Sequence, residues 1–150
     1  MRVLNGVAEL DAAVGSHLGF SGWRRVTQDQ IDAFADVTDD HQWIHVDPVA
    51  AADGPFGSTV AHGYLTLSLV SSLAWQVYRV DGMTMAVNYG ANRLRFPSPV
   101  LVDSRVRAGV ELMSVTKGGS GYQVVARVTV EIEGESKPAC VVESVSLLVP

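Results

Sequence analysis

Nine consecutive residues, Asp39-Asp40-His41-Gln42-Trp43-Ile44-His45-Val46-Asp47, bring together three carboxylates, two imidazoles and an indole. Any one of these polar side chains taken alone can be structural, with aspartates capping helices on either side. The cluster says more, because Trp43 and Ile44 are too apolar for a fully solvated loop and should draw the segment against the core. Asp40 and His45 would then need partners. A carboxylate–imidazole arrangement is the simplest way to hold a water for general acid–base work near neutral pH. Asp40, His41, His45 and His62 could also supply metal ligands. Their spacing matches neither a helix-borne zinc motif nor a calcium loop, and the expectation is a site without metal. Ser58-Thr59 precede His62 without a G-x-S-x-G elbow, so a cap is expected there rather than a nucleophile.

A second candidate is Ala61-His62-Gly63-Tyr64, at the opening of an apolar helix. The first turn of a helix presents unpaired N–H groups and the positive end of its dipole, which can hold a carbonyl oxygen on which charge develops. Glycine at position 63 lets a ligand approach the backbone. It would equally permit tight packing of helix against sheet, and composition does not separate the two.

These residues must be positioned by the rest of the chain. Met1 to Gly22 reads as a loosely helical lead with Val7, Leu10, Ala13 and Val14 on one side and Gly15 as its stop, followed by a short strand at Gly22 to Val26. Thr27 with Gln30 forms a capping box for a helix from Gln28 to Val37, whose apolar face is Ile31, Phe34 and Ala35. A helical turn begins near Asp47-Pro48. From Ala61 or His62 to about Tyr78, apolar residues fall on nearly every side of a helix of about 18 residues, roughly 27 Å long. Such a helix belongs inside. Its cover comes from Met83–Phe96, with bend signals at Gly90 and at Pro97 to Pro99, and from three strands in a meander. The expected covered faces are Val102, Ser104, Val106, Ala108, Val110 and Leu112, then Val124, Ala126, Val128, Val130 and Ile132, then Ala139, Val141, Glu143, Val145, Leu147 and Val149. No crossover helices follow residue 80, so the sheet is antiparallel and the class is α+β.

The bulk properties narrow the partners. The chain has 150 residues, a size that suits one domain over 1–150. Sixteen acidic against eleven basic side chains leave a net charge of −5 and no basic run longer than Arg24-Arg25, which argues against nucleic acid. Only 18% of residues are charged, light for a monomer's surface, and the long strand edges invite a second subunit. Cys140 is the single cysteine and reads as an inert buried thiol. With neither a signal peptide nor a clean membrane-spanning run, a soluble, cytoplasmic protein without membrane association is expected.

Three stretches together resemble a known family. Phe34 through Asp47 is similar to the hydratase segment of the MaoC-like dehydratases, the (R)-specific enoyl-CoA hydratase family. Ala61-His62-Gly63-Tyr64-Leu65-Thr66-Leu67 resembles that family's helix opening, and Asn88 through Val100 its strand running into a proline bend. The likeness covers about residues 20 to 149. It implies a hot-dog fold, a curved antiparallel sheet wrapped around a long central helix. By this resemblance Asp40 and His45 are the catalytic pair, and the Gly63 backbone N–H receives the thioester oxygen of an acyl-CoA substrate. No cofactor beyond the substrate's own coenzyme A is implied, and the assembly would be a homodimer. His62, Tyr64, Arg93 and Arg95 are candidates for substrate contact, the arginines through the coenzyme A phosphates. Arg105, Arg107 and Lys117 are alternatives, and a solvated sheet face is the plainer reading of all these cations. Two departures stand out. Many members have glycine where this chain has Asp39, a carboxylate that either raises the pKa of Asp40 or points to solvent. Gln42 and Trp43 replace the commoner asparagine and proline. His41 has no implied role. The implied reaction is reversible hydration of a trans-2-enoyl-CoA. A thioesterase or a non-catalytic acyl-CoA-binding protein on the same fold are the alternatives.

Overall fold

The computed structural model describes residues 1–150. The chain opens with a short strand β1 (Arg2–Leu4), a helical turn α1 (Val7–Ala12) and β2 (His17–Phe20). The lead is therefore not one loose helix. Gly15, at φ +81°, ends the helical part as a left-handed turn, and the chain on either side of α1 is extended because it pairs with distant strands, which local periodicity does not register. After β3 (Arg24–Arg25) comes α2 (Gln28–Thr38), opened by the expected capping box between Thr27 and Gln30. Ile31 and Ala35 on its apolar face are fully buried. Two short helices follow. α3 (Trp43–Val46) was not apparent from sequence, whereas α4 (Pro48–Ala52) starts as expected, with the Asp47 carboxylate accepting from the amides of Val49 and Ala50.

The central helix α5 spans Gly63–Val77, shorter than its apolar pattern suggests because the chain turns directly into β4 (Tyr78–Val80), which pairs in parallel with β1. The rest is β5 (Met85–Arg95), β6 (Arg105–Gly118), β7 (Gly121–Ile132) and β8 (Cys140–Val149). The main sheet is wholly antiparallel in the order β2-β6-β7-β8-β5, with β3 sharing the β2 edge of β6. The sheet lies along α5, and the core between them holds Leu65, Leu69 and Leu73 of the helix against Val106, Val110, Leu112, Val124, Val128 and Val130.

Two expectations about faces are corrected. α5 is not buried all round: Leu65, Thr66, Leu69, Val70, Leu73 and Val77 face inward, while Tyr64 and Trp75 stand 68% and 69% exposed on the opposite stripe. In β8 the positions facing α5 are Cys140, Val142, Ser144, Ser146 and Leu148; of the expected set Ala139 and Val145 are buried, whereas Val141, Glu143, Leu147 and Val149 are only half-buried. Cross-strand pairing decides this, because Val130, Val128, Ala126, Val124 and Tyr122 of β7 sit directly opposite them and partners share a face. The apolar run Val141-Val142 and the doublet Leu147-Leu148 leave the phase ambiguous until that partner is present. On the outer face, Arg105 pairs with Glu133, Arg107 with Glu131, and Arg127 with both Glu111 and Glu143, so Arg105 and Arg107 belong to a cross-strand charge ladder. Cys140 is fully buried, and burial pushes its thiol up to about 11.

Candidate functional site

The segment that carries the candidate pair begins where α2 ends. Asp39 caps that helix in the left-handed conformation at φ 60°, and the Asp40 amide donates to the Ala35 carbonyl at 3.1 Å. The left-handed position explains why glycine suits it, and aspartate is among the few other residues that tolerate it. The Asp39 side chain is 99% exposed, so of its two sequence readings the solvent-facing one holds. His41 turns outward to Asp36, with 2.8 Å between His41 Nε2 and the carboxylate. That hydrogen bond, with the surrounding aspartates, raises the His41 pKa above its ordinary value.

The turn then feeds α3, which places His45 on the inward side, where it is 7% exposed. Trp43 lies over Gly54, where any Cβ would stand 2.9 Å from the indole; it stays partly exposed rather than sinking into the core. His45 Nδ1 lies 2.6 Å from the Val60 carbonyl oxygen. A carbonyl only accepts, so the ring nitrogen carries the proton and donates, which leaves Nε2 with the free lone pair in the neutral ring. Val60 is itself held on both sides. Its amide donates to the Ile44 carbonyl, and the adjoining residues Thr59 and Ala61 exchange hydrogen bonds with Val102 and Val100.

His62 is the last residue before α5 and is 3% exposed. Its Nε2 donates to the backbone oxygen of Asp40 at 2.9 Å, and its ring stacks on His45 with centroids 3.8 Å apart and 24° between planes. Nδ1 of His62 is buried with no hydrogen-bond partner. The side chain thus anchors the Asp40 turn from within rather than facing outward. One ligand-capable atom from each of Asp40, His45 and His62 falls within 4.8 Å of the others, close enough to share one water or one cation. His41, considered for the same purpose, is not among them. Asp40 stands at the exposed mouth of this cluster and the two rings at its base. Burial lowers the His45 pKa below 6.5, and nearby His62 lowers it further; the Val60 hydrogen bond and Asp40 work in the opposite direction.

At the start of α5 no side chain caps the helix, so its first-turn amides are not taken by a capping group. A Cβ on Gly63 would meet the Phe96 ring at 3.1 Å. Close packing is therefore a present function of this glycine. Tyr64 is exposed beside it, edge-on to Phe96 at 6.2 Å between centroids. Arg93 lies in a bulge of β5 between Ala91 and Leu94, and Arg95 donates to the Leu94 carbonyl; neither takes part in an ion pair, unlike Arg25, Arg79, Arg105, Arg107 and Arg127.

Two contacts in this framework went unread in the sequence. Gln28, at the start of α2, donates from Nε2 to the His45 carbonyl at 2.8 Å and accepts from the buried Thr59 hydroxyl at 2.5 Å. These contacts span 17 and 31 residues, and a glutamine in a first helical turn carries no local sign of them. The other is a cavity of about 440 Å³ between the C-terminal half of α5, β4, the start of β5 and the inner face of the sheet, lined mainly by apolar side chains including Val70, Trp75, Met83 and Leu148. It needs the even-numbered face of β8, which the sequence leaves ambiguous.

Comparison with known proteins places this geometry. A family model described as "MaoC like domain" matches residues 9–134. The chain is 53% identical over 146 residues to 3-hydroxyacyl-thioester dehydratase Z of Mycobacterium tuberculosis, covering 97% of each chain. It is 43% identical over 145 residues to nodulation protein N of Rhizobium leguminosarum, covering 95% of this chain and 90% of that one. Among solved structures, the (R)-hydratase from A. caviae involved in PHA biosynthesis superposes with a TM-score of 0.74 at 27% identity, over 91% of this chain and 96% of that one.

Proposed function

The chain belongs to the MaoC-like domain family, and from that premise we propose that it is an (R)-specific enoyl-CoA hydratase, adding water reversibly to a trans-2-enoyl-CoA to give the (R)-3-hydroxyacyl-CoA. The observation that carries this reading is the His45 lone pair. Donation from Nδ1 to Val60 fixes the tautomer, burial keeps the ring neutral, and Nε2 is left to accept a proton from water within the cluster that also contains Asp40. In the hydration direction, His45 and Asp40 hold the water between them. The water oxygen bonds to the β carbon as its proton passes to this pair, and a proton returns to the α carbon. The thioester oxygen, enolate-like in between, rests on the Gly63 N–H at the positive end of α5. The acyl chain follows the groove between α5 and β5 into the apolar cavity. Arg93 and Arg95, two strand arginines that take part in no ion pair, meet the coenzyme A phosphates. The thioester already activates the β carbon, so the protein's part is positioning and proton transfer, with neither an organic cofactor nor a metal.

The names of the relatives support this chemistry: one acts on 3-hydroxyacyl thioesters and another is an (R)-hydratase. The assembly we propose is a homodimer of single hot-dog domains in the cytoplasm. No helix is long and apolar enough to cross a membrane.

The test is loss of the conjugated enoyl-thioester ultraviolet absorbance with short and medium-chain trans-2-enoyl-CoA, alongside Asp40→Asn. The reading expects turnover that falls by about 10²–10⁴ in D40N, the scale of a general acid–base group. It also expects an (R)-3-hydroxy product and no free thiol. Thiol release would make the protein a thioesterase, and saturable binding without turnover would make it an acyl-CoA-binding protein.

A further inference from the structure

The cavity beside α5 carries a polar group that its apolar walls do not require. On β8 the inward positions run Val142, Ser144, Ser146, Leu148, so two hydroxyls interrupt the apolar alternation in its middle. Asn88 of β5 sits directly opposite Ser146, and its Nδ2 donates to the Ser71 hydroxyl of α5 at 3.3 Å. Ser71, Asn88, Ser144 and Ser146 thus converge on the cavity from three elements. The other serine and threonine hydroxyls of α5 donate to backbone carbonyls three or four residues earlier, Thr66 to His62, Ser68 to Tyr64 and Ser72 to Leu69, whereas Ser71 faces the strands. The hydroxyls of Ser144 and Ser146 donate to no protein group. If space were all that was needed, alanine would provide it. A hydrocarbon filling this cavity would strip water from the Ser144 and Ser146 hydroxyls without replacing its hydrogen bonds, leaving only the Asn88–Ser71 pair satisfied.

The groove of about 560 Å³ between α5 and β5 shares Val70, Ser71, Asn88 and Ser144 with the cavity and extends it back to Leu67, four residues or one turn from Gly63. From Gly63 to Ser71 is eight residues, about 12 Å along the helix axis. An extended acyl chain advances roughly 1.25 Å per carbon–carbon bond. Resting on the proposed hydratase reading, we infer that the preferred substrate is a medium-chain enoyl thioester bearing a hydroxyl or oxo group near its far end, at roughly the tenth carbon, recognised by the Ser71–Asn88–Ser144–Ser146 group.

The test compares trans-2-decenoyl-CoA with 10-hydroxy-trans-2-decenoyl-CoA and 9-oxo-trans-2-decenoyl-CoA on the wild-type protein and on the Ser144→Ala, Ser146→Ala double variant. Absorbance loss gives kcat/KM, and tryptophan emission, through Trp75 in the cavity wall, gives binding independently of turnover. An oxygenated substrate should be favoured about tenfold or more in kcat/KM, and the double variant, which keeps the room and loses the hydroxyls, should abolish the preference by gaining on the plain chain. Equal or lower kcat/KM for both oxygenated substrates overturns the inference, as does a preference that survives the double substitution. Tighter binding of an oxygenated thioester without turnover of any of the three would remove the hydratase reading and keep the recognition. Neither turnover nor a binding difference would remove both.

Discussion

His45 works at the meeting point of two opposed demands. It must be buried to have a fixed tautomer, and burial lowers its affinity for a proton. In the unfolded chain it titrates near 6.5, and in the folded chain below that. Between those two values the unfolded state holds more protons, so stability rises with pH there. The contribution is present above 6.5 and lost as the pH falls through the folded value. His41 runs the other way, its pKa being raised, but it is solvent-exposed and screened. A kcat/KM profile should accordingly stay flat through neutral pH and break on the acid side below 6.5; a break well above 6.5 would remove His45 as the group that must be neutral. Gly63 gives a second prediction. Gly63→Ala should lower kcat about 100-fold, the scale of one lost oxyanion donor. Since the added Cβ also crowds Phe96, the Gly63→Ala, Phe96→Ala pair decides the cause. Activity that stays low shows that the thioester needs the close approach, and recovery shows that only packing suffered. That Asp40, His45 and His62 share one neighbourhood was suggested by their types and spacing, and the structure brings the three together. What pattern did not reveal was that His62 faces inward, because its partner is a backbone carbonyl 22 residues away.

Among the elements, the best-read ones carry their signal locally. The capping box of α2, the alternation of β7 and that of β6 from Val106 to Leu112 appear where expected, since each needs only its own sequence. Val102 and Ser104, expected on the same covered face, instead lie ahead of β6 around a turn at Asp103. β1, the phase of β8 and the free stripe of α5 depend on partners elsewhere, and they were missed or misphased. The same distinction governs how the site is held. α2 holds α3 through Gln28 as well, which bridges the His45 carbonyl and the buried Thr59 hydroxyl. Gln28→Ala should leave both groups without that partner and cost about 1–3 kcal/mol, measured as a shift of the urea midpoint. It should also lower kcat, because the α3 backbone would lose its tether beside the proposed acid–base pair. A fully active, destabilised variant would separate that tether from catalysis. No change in stability would mean that water satisfies both groups.

At the scale of the whole molecule, β5 is an edge strand of the main sheet. It has one hydrogen-bonded neighbour, β8, and its other edge is open. Nearly every residue along it is exposed, among them Met85, Val87 and Tyr89, and the exposed Trp75 of α5 lines the same cavity as Met85. A long apolar edge of this kind is ordinarily blunted by charge, proline or bulges. β5 has two bulges, between Asn88 and Gly90 and between Ala91 and Leu94, which leave Met85–Asn88 as its regular stretch. Antiparallel pairing of two copies about a two-fold axis there would bring Val87 close to its counterpart and place the second subunit over the groove between α5 and β5. That agrees with the light surface charge and with the exposed position of Asp40, whose carboxylate would otherwise work in open solvent. Val87→Lys together with Tyr89→Lys sets like charges across this axis. Sedimentation equilibrium should give twice the chain mass for the wild-type protein and the single-chain mass for the variant. The variant should keep its far-ultraviolet circular dichroism and lose most of its kcat/KM, since the groove would lack its cover. A monomeric variant with full activity would show that each chain carries a complete site, and a variant that remains dimeric would move the interface to another face.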